Sequence, residues 1–157
     1  MFKVGFGYDV HKLAKGESLI LGGIEIEHTK GTVAHSDGDV LIHAIIDAML
    51  GADAQKDIGY WFPDNNQNLK GIDSKILLKK ANEILKNRGF KIGNIDSTIA
   101  AQQPKLKPYI DQMRQKLADV LELEIENISV KATTTEKLGF EGREEGISAY
   151  AVVLIHK

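Results

Sequence analysis

The chain has 157 residues, 43% hydrophobic and 27% charged, which suits one packed domain over residues 1–157 and argues against disorder. A formal net charge of −2 with no Lys/Arg stripe excludes an electrostatic nucleic-acid footprint. With no cysteine there is no disulfide, thiol catalysis or thiolate metal site, so any metal must be held by His, Asp or Glu.

No apolar run is long enough to span a bilayer, and MFKVGFGYDVH runs straight into strand-like alternation with no signal segment before it. The expectation is a cytoplasmic protein. Val4 to Val10 alternates as a strand, and Ser18 to Glu27 supplies one or two more. Ser36 or Asp37 can cap a helix that starts near Asp39 and stops near Gly51, with Leu41, Ile42, Ile45, Ile46, Met49 and Leu50 as its core side. DIGYWFPDNNQN reads as a loop. Asp73 or Ser74 starts a second helix, ended by Gly89. Lys91 to Ala101 is a strand. After QQPKLKP a third helix puts Ile110, Met113, Leu117, Val120 and Leu121 on one face. Ile128 to Thr135 and Ile147 to Ile155 close the chain as strands joined by EKLGFEGREEG. Helices and strands interspersed in this way predict an α+β fold: a single-domain mixed β-sheet with helices packed on one face.

Residues two apart in a strand face the same way, so Asp9 and His11 project side by side from the end of the first strand. His43 on the following helix can close over them. Two histidines and a carboxylate leave a coordination position open, as catalytic zinc sites do. Asp47, one turn after His43 on the same face, can hold the second ring nitrogen. The same donors also suit a two-His, one-carboxylate iron(II) oxygenase. Ser36, Asp37 and Asp39 are explained as a helix cap complementing the dipole, but His35 is a poor cap and reads as a hydrogen-bond donor at the site's edge. In KATTTEKLGFEGREEG, threonine hydroxyls, glycines and Arg143 suit phosphate oxygens, and Glu136 suits magnesium. It is not a P-loop, because GxxxxGK[ST] is absent. His28 and His156 read as surface residues.

Together, DVH, AHSDGDVLIHAIIDAMLGA, DIG followed by FPD, AQQPK and KATTTEKLGFEGR resemble the 2-C-methyl-D-erythritol 2,4-cyclodiphosphate synthases of the non-mevalonate isoprenoid pathway. The likeness runs through essentially the whole chain in order and spacing. It implies a reaction in which the 2-phosphate of 4-diphosphocytidyl-2-C-methyl-D-erythritol 2-phosphate attacks the β-phosphorus, releasing CMP and the cyclic diphosphate. It implies zinc on Asp9, His11 and His43, and magnesium or manganese on Glu136 with the substrate phosphates. His35 and Thr134 would stabilise the transition state. Substrate contacts implied are Asp9, His11, His35, Ser36, Asp57, Ile58, Gly59, Phe62, Pro63, Asp64, Asn65 and Asn66 on the methylerythritol phosphate side. On the cytidine side they are Ala101, Gln102, Gln103, Pro104, Lys105, Leu106 and Lys107, completed by Thr133, Thr134, Thr135, Glu136, Phe140 and Arg143. The resemblance further implies a homotrimer with active sites at subunit interfaces. Its central hydrophobic cavity would be faced by Arg143 and Glu145 and open to an isoprenoid diphosphate. Tyr60 and Trp61 occupy variable positions, and Asn65 and Asn66 stand where members often carry Thr or Asp.

Overall fold

The computed structural model describes residues 1–157. A five-stranded mixed sheet is built from β1 (Phe2–Lys15), β4 (Lys30–Val33), β5 (Lys91–Ala100), β6 (Ile128–Thr133) and β7 (Gly146–His156), in the order β4-β1-β7-β5-β6. All neighbours are antiparallel except β5 and β6. That parallel pair needs a crossover, and α4 (Ile110–Leu121) supplies it. A separate hairpin of β2 (Leu19–Leu21) and β3 (Ile24–Ile26) precedes β4. The remaining helices are α1 (Val40–Ala52), α2 (Ile58–Trp61), α3 (Ser74–Asn87) and α5 (Gly139–Gly142). No helix is long and apolar enough to cross a membrane.

The helices cover one face of the sheet, as the interspersed pattern requires. α1 lies across β1 and β7, α4 against β6, and α3 against both helices. Every α1 residue from Val40 to Leu50 except Asp47 is buried, because the helix is enclosed by the sheet below and α3 beside it. Ile147, Ala149, Ala151, Val153 and Ile155 of β7 point toward it and are all essentially inaccessible to solvent.

The outer face is different. Alternation along β1 sends Phe2, Val4, Phe6, Tyr8 and Val10 outward, and Tyr8 sits opposite Tyr150 of β7, with Phe6 opposite Val152. Phe2 is 74% exposed, Val4 65% and Phe6 62%. Contiguous apolar surface of this kind on a folded domain marks an interaction face.

Several local expectations change. β1 continues to Lys15 because β4 pairs with its far end (Lys12 with Val33), so Asp9 and His11 lie within the strand and not at its end. The DIGYWFPDNNQN loop contains α2 and a 3₁₀ turn at Gln67–Leu69, and the last connection contains α5. β6 stops at Thr133, leaving Thr134 and Thr135 in the following turn. His28 and His156 are half-buried, and the Nε2 atom of His28 is enclosed without a hydrogen-bond partner.

Candidate functional site

Two glycines set the site's geometry. A Cβ on Gly5 would lie 1.8 Å from the Ala48 carbonyl oxygen, and one on Gly7 would lie 1.9 Å from that of Ala44. Backbone therefore packs on backbone, and α1 approaches β1 more closely than any side chain would permit. Gly5, Gly7, Asp9 and His11 share the inward face, so the strand that meets Ala48 and Ala44 meets His43 next.

The result is a small triangle of ligand atoms. Asp9 Oδ2 is 2.9 Å from His11 Nε2 and 3.1 Å from His43 Nδ1, and the two ring nitrogens are 3.1 Å apart. Zinc with ligand distances of about 2.0–2.1 Å holds tetrahedral ligands roughly 3.3 Å apart. The donor set and its spacing fit a cation, with a coordination position left open toward the cleft. Burial alone would raise the Asp9 carboxyl, but hydrogen bonds and positive charge from His11 and His43 bring it down to about 2. Burial alone would lower His43; the hydrogen bond to Asp9 and the carboxylates of Asp9, Asp39 and Asp37 reverse this and raise it. Both shifts describe a pocket that favours positive charge between these side chains.

The far side of His43 corrects the sequence reading. Asp47 does not hold its second nitrogen: the Asp47 carboxylate accepts the Ile58 N–H at 3.0 Å, at the start of α2. Instead Nε2 meets the Ser74 hydroxyl at 2.8 Å, with the Ser36 hydroxyl more distant at 3.3 Å. Helix side chains lean toward the N-terminus, and that is the direction in which the His43 ring finds Ser74. Nothing local announces Ser74, which is 31 residues away and reads as the first residue of a helix.

The α1 cap is also reassigned. It is Asp39 rather than Ser36 or Asp37, accepting from Ile42 N at 3.0 Å. The same carboxylate accepts from Gly22 N at 3.0 Å and Gly23 N at 2.7 Å, tying the β2–β3 turn to the helix. Complete burial raises its pKa to about 6 against the backbone hydrogen bonds that lower it. Asp37 instead accepts from the backbone and hydroxyl of Ser74.

A cleft of about 320 Å³ opens over the triad, lined by Asp9, His11, His43, His35, Ser36, Ile58, Gly59, Phe62 and Asp64, among others. His35 Nε2 lies 3.0 Å from the Asn66 carbonyl. Asp57 caps α2 by accepting from Tyr60 N. Pro63 and Asn65 belong to the same loop without lining the cleft, and the Asn66 side chain caps the 3₁₀ turn.

A second groove, about 450 Å³, is lined by Ala101, Gln102, Pro104, Lys105, Leu106 and Lys107 together with Thr133 and Thr134. Gln103 is outside its lining. Ala101 N–H donates to the Thr133 carbonyl at 3.0 Å, and Lys137 N–H to the Gln102 side chain at 3.1 Å, so the two loops form one wall. Thr135 donates to the Leu138 carbonyl. Glu136 is exposed on a left-handed turn with φ 55°. Phe140 borders a shallow depression beside His11, and Arg143 pairs with Glu145 on the surface. The two cavities share no lining residue, so within one chain His35 and Thr134 are not brought together.

Comparison with known proteins gives this arrangement a context. The model of the YgbB family matches residues 2–156. The chain is 60% identical to 2-C-methyl-D-erythritol 2,4-cyclodiphosphate synthase of Porphyromonas gingivalis, over 98% of its own length and 95% of the relative's. It is 62% identical to the protein of the same name from Bacteroides fragilis, over 99% and 98%. A Plasmodium falciparum structure solved as a CDP complex superposes with a TM-score of 0.86 at 35% identity, covering 98% of this chain and 95% of the other.

Proposed function

The chain belongs to the YgbB family, and on that premise we propose that it converts 4-diphosphocytidyl-2-C-methyl-D-erythritol 2-phosphate to 2-C-methyl-D-erythritol 2,4-cyclodiphosphate with release of CMP. The observation that carries this reading is the Asp9–His11–His43 triangle at the floor of the cleft, in a chain 62% identical to a named synthase over 98% of that protein's length. CDP in a structural relative supports a cytidine diphosphate ligand for this chain.

The attacking group needs little activation, since a phosphate monoester with a second pKa near 6 is largely ionised at neutral pH. No serine or cysteine nucleophile is required. What the chain must do is fold one substrate so that two anionic groups meet in line. Zinc on the triad and magnesium or manganese at Glu136 would, when bound, supply Lewis-acid neutralisation of the diphosphate oxygens. His35 and Thr134 donate hydrogen bonds to charge developing at phosphorus. The loop carrying Asp57, Ile58, Gly59 and Phe62 holds the methylerythritol phosphate, and the Ala101–Lys107 wall holds the cytidine.

In this proposal the working unit is a homotrimer. Two observations support it: the outward apolar face of β1 and β7, and the separation of the His35 and Thr134 clefts within one chain. Apposition of neighbouring chains joins one protomer's metal cleft to the next protomer's nucleotide groove. The apolar face would then line a central cavity, where Arg143 and Glu145 offer charge to an isoprenoid diphosphate.

The test is a turnover assay with zinc and magnesium, following CMP and the cyclic diphosphate by mass spectrometry. Equal amounts of both products are expected. Neither product from a folded, zinc-loaded trimer would refute the assignment.

A further inference from the structure

We infer that Ser74 and Asp37 are positioning residues for the metal centre: a buried hydrogen-bond relay that fixes the tautomer of His43 and leaves its Nδ1 free to act as a ligand. The inference rests on reading the triad as a cation site and adds two residues from outside it.

The Ser74 side chain is fully buried, and its Oγ lies 2.8 Å from His43 Nε2 on one side and 2.5 Å from Asp37 Oδ1 on the other. A hydroxyl has a single proton to donate. A carboxylate accepts only, so that proton goes to Asp37, and Ser74 presents a lone pair to the imidazole. Nε2 therefore carries a hydrogen toward Ser74, its nearer partner; the Ser36 hydroxyl, 3.3 Å away, already accepts from Gly38 N–H. In the neutral ring Nδ1 is then bare, and it faces Asp9 Oδ2 at 3.1 Å with no proton of its own to share. Two acceptors held this close need a proton or a metal ion between them, and the Asp9–His11–His43 triangle offers the ligands for the ion.

Asp37 is itself immobilised. Its second oxygen accepts the Ser74 backbone N–H at 2.9 Å, and its first also accepts Asp39 N–H at 3.1 Å. It thus sits where the N-termini of α1 and α3 converge, with a backbone N–H from each turned to its carboxylate. The relay couples the orientation of one ligand ring to the junction of two helices. Ligating histidines generally depend on such a partner at the second nitrogen, at a cost of about 10–100-fold in metal affinity when it is lost.

The test measures two quantities on metal-free protein: zinc affinity by chelator competition, and the His43 imidazole 15N shifts, which distinguish the tautomers. At a pH high enough for the His43 ring to be neutral, the wild type is expected to show the Nε2–H form. Ser74→Ala is expected to lose about 10–100-fold in zinc affinity and to populate both tautomers. Asp37→Asn keeps the shape but accepts more weakly, freeing the Ser74 hydroxyl to donate toward Nε2; it is expected to move both readouts in the same direction. If Ser74→Ala does not fold, Asp37→Asn decides the matter alone. Should folded variants bind zinc as tightly as the wild type with the Nε2–H signature intact, Ser74 and Asp37 merely join two helices and the relay is overturned. A wild type that binds no zinc would instead defeat the cation reading, and the imidazole signature would still decide the relay.

Discussion

At the scale of single residues, the proposed function divides the site into groups suited to hold a cation and groups suited to meet the substrate, and substitutions should separate them. His43→Ala removes one corner of the triangle and should abolish zinc retention and turnover together, read by metal analysis and product assay. Thr134 lines the other groove, so Thr134→Ala should cost about 100-fold or more in turnover while zinc content stays at the wild-type level. Equal loss of both would contradict a direct role for Thr134. Buried aspartates illustrate how surroundings decide charge. Asp53 is buried, which would raise its pKa, but Lys3 and Arg88 pair with it and hold it low. Asp39 has only backbone N–H partners and is raised to about 6. A carboxyl raised in the folded state favours folding in its protonated form. Its contribution is therefore complete below its ordinary value near 4 and lost as pH rises through about 6. Urea unfolding of metal-free protein should show the stability of wild type relative to Asp39→Asn increasing as pH falls from about 6 toward 4. A difference that does not change with pH would remove Asp39 as its source.

At the scale of elements, the contact between β1 and α1 is the part of the fold on which the site depends most. Gly7→Ala puts a methyl 1.9 Å from the Ala44 carbonyl oxygen, and neither backbone can yield without moving the helix. The expected cost is about 3 kcal/mol or more, above the usual range for overpacking because the collision is with backbone. Zinc affinity should fall with it, since the displaced helix carries His43 away from Asp9 and His11. Gly51 is the contrast: it lies within α1, on the exposed side, and a Cβ there would come no nearer than 3.9 Å to the Phe6 carbonyl oxygen. Gly51→Ala should leave stability unchanged or raise it by up to about 1 kcal/mol, as measured by thermal or urea unfolding. The sequence reading ended the helix near Gly51, but the structure carries α1 through it to Ala52.

At the scale of the whole molecule, the outer sheet face and the divided site make one argument for assembly. β1 pairs with β7 from Phe2 to Lys12 and with β4 only from Lys12 to Lys15, so most of its other edge and its apolar outer face are open. Phe6→Glu places a charge in the middle of that face without touching the triad, which lies wholly within one chain. The variant should run as a monomer in light scattering, keep zinc, and lose turnover because the two grooves no longer meet. A fully active monomer would mean that one chain completes the site by itself.

The periodic features were legible in residue spacing alone. Alternation in β1 placed Asp9 and His11 on a common face, and the apolar spacing after Asp39 marked a helix with a core side, which the structure shows to be buried nearly all round. Helical spacing gave Leu77, Ala81 and Leu85 of α3 and Met113, Leu117 and Leu121 of α4 as buried, while Ile76, at the same spacing, is exposed, and the ordered motifs gave the family before any contact was known. These are properties of short stretches, where residue spacing and side-chain direction are tied by backbone geometry. Partnerships between stretches had no such rule. The expectation that Asp47 would hold His43 was sound for an isolated helix, but packing gave Asp47 to the Ile58 amide and gave His43 to Ser74. Asp39 capped α1 because the β2–β3 turn delivered two further amides to it. Separation of the groove along Ala101–Lys107 from the cleft over the triad was likewise invisible in local pattern, since both loops carry similar turn-forming residues. Tertiary structure alone decided these points, because a hydrogen-bonding group takes the partner that packing brings within 3 Å, whatever its distance along the chain.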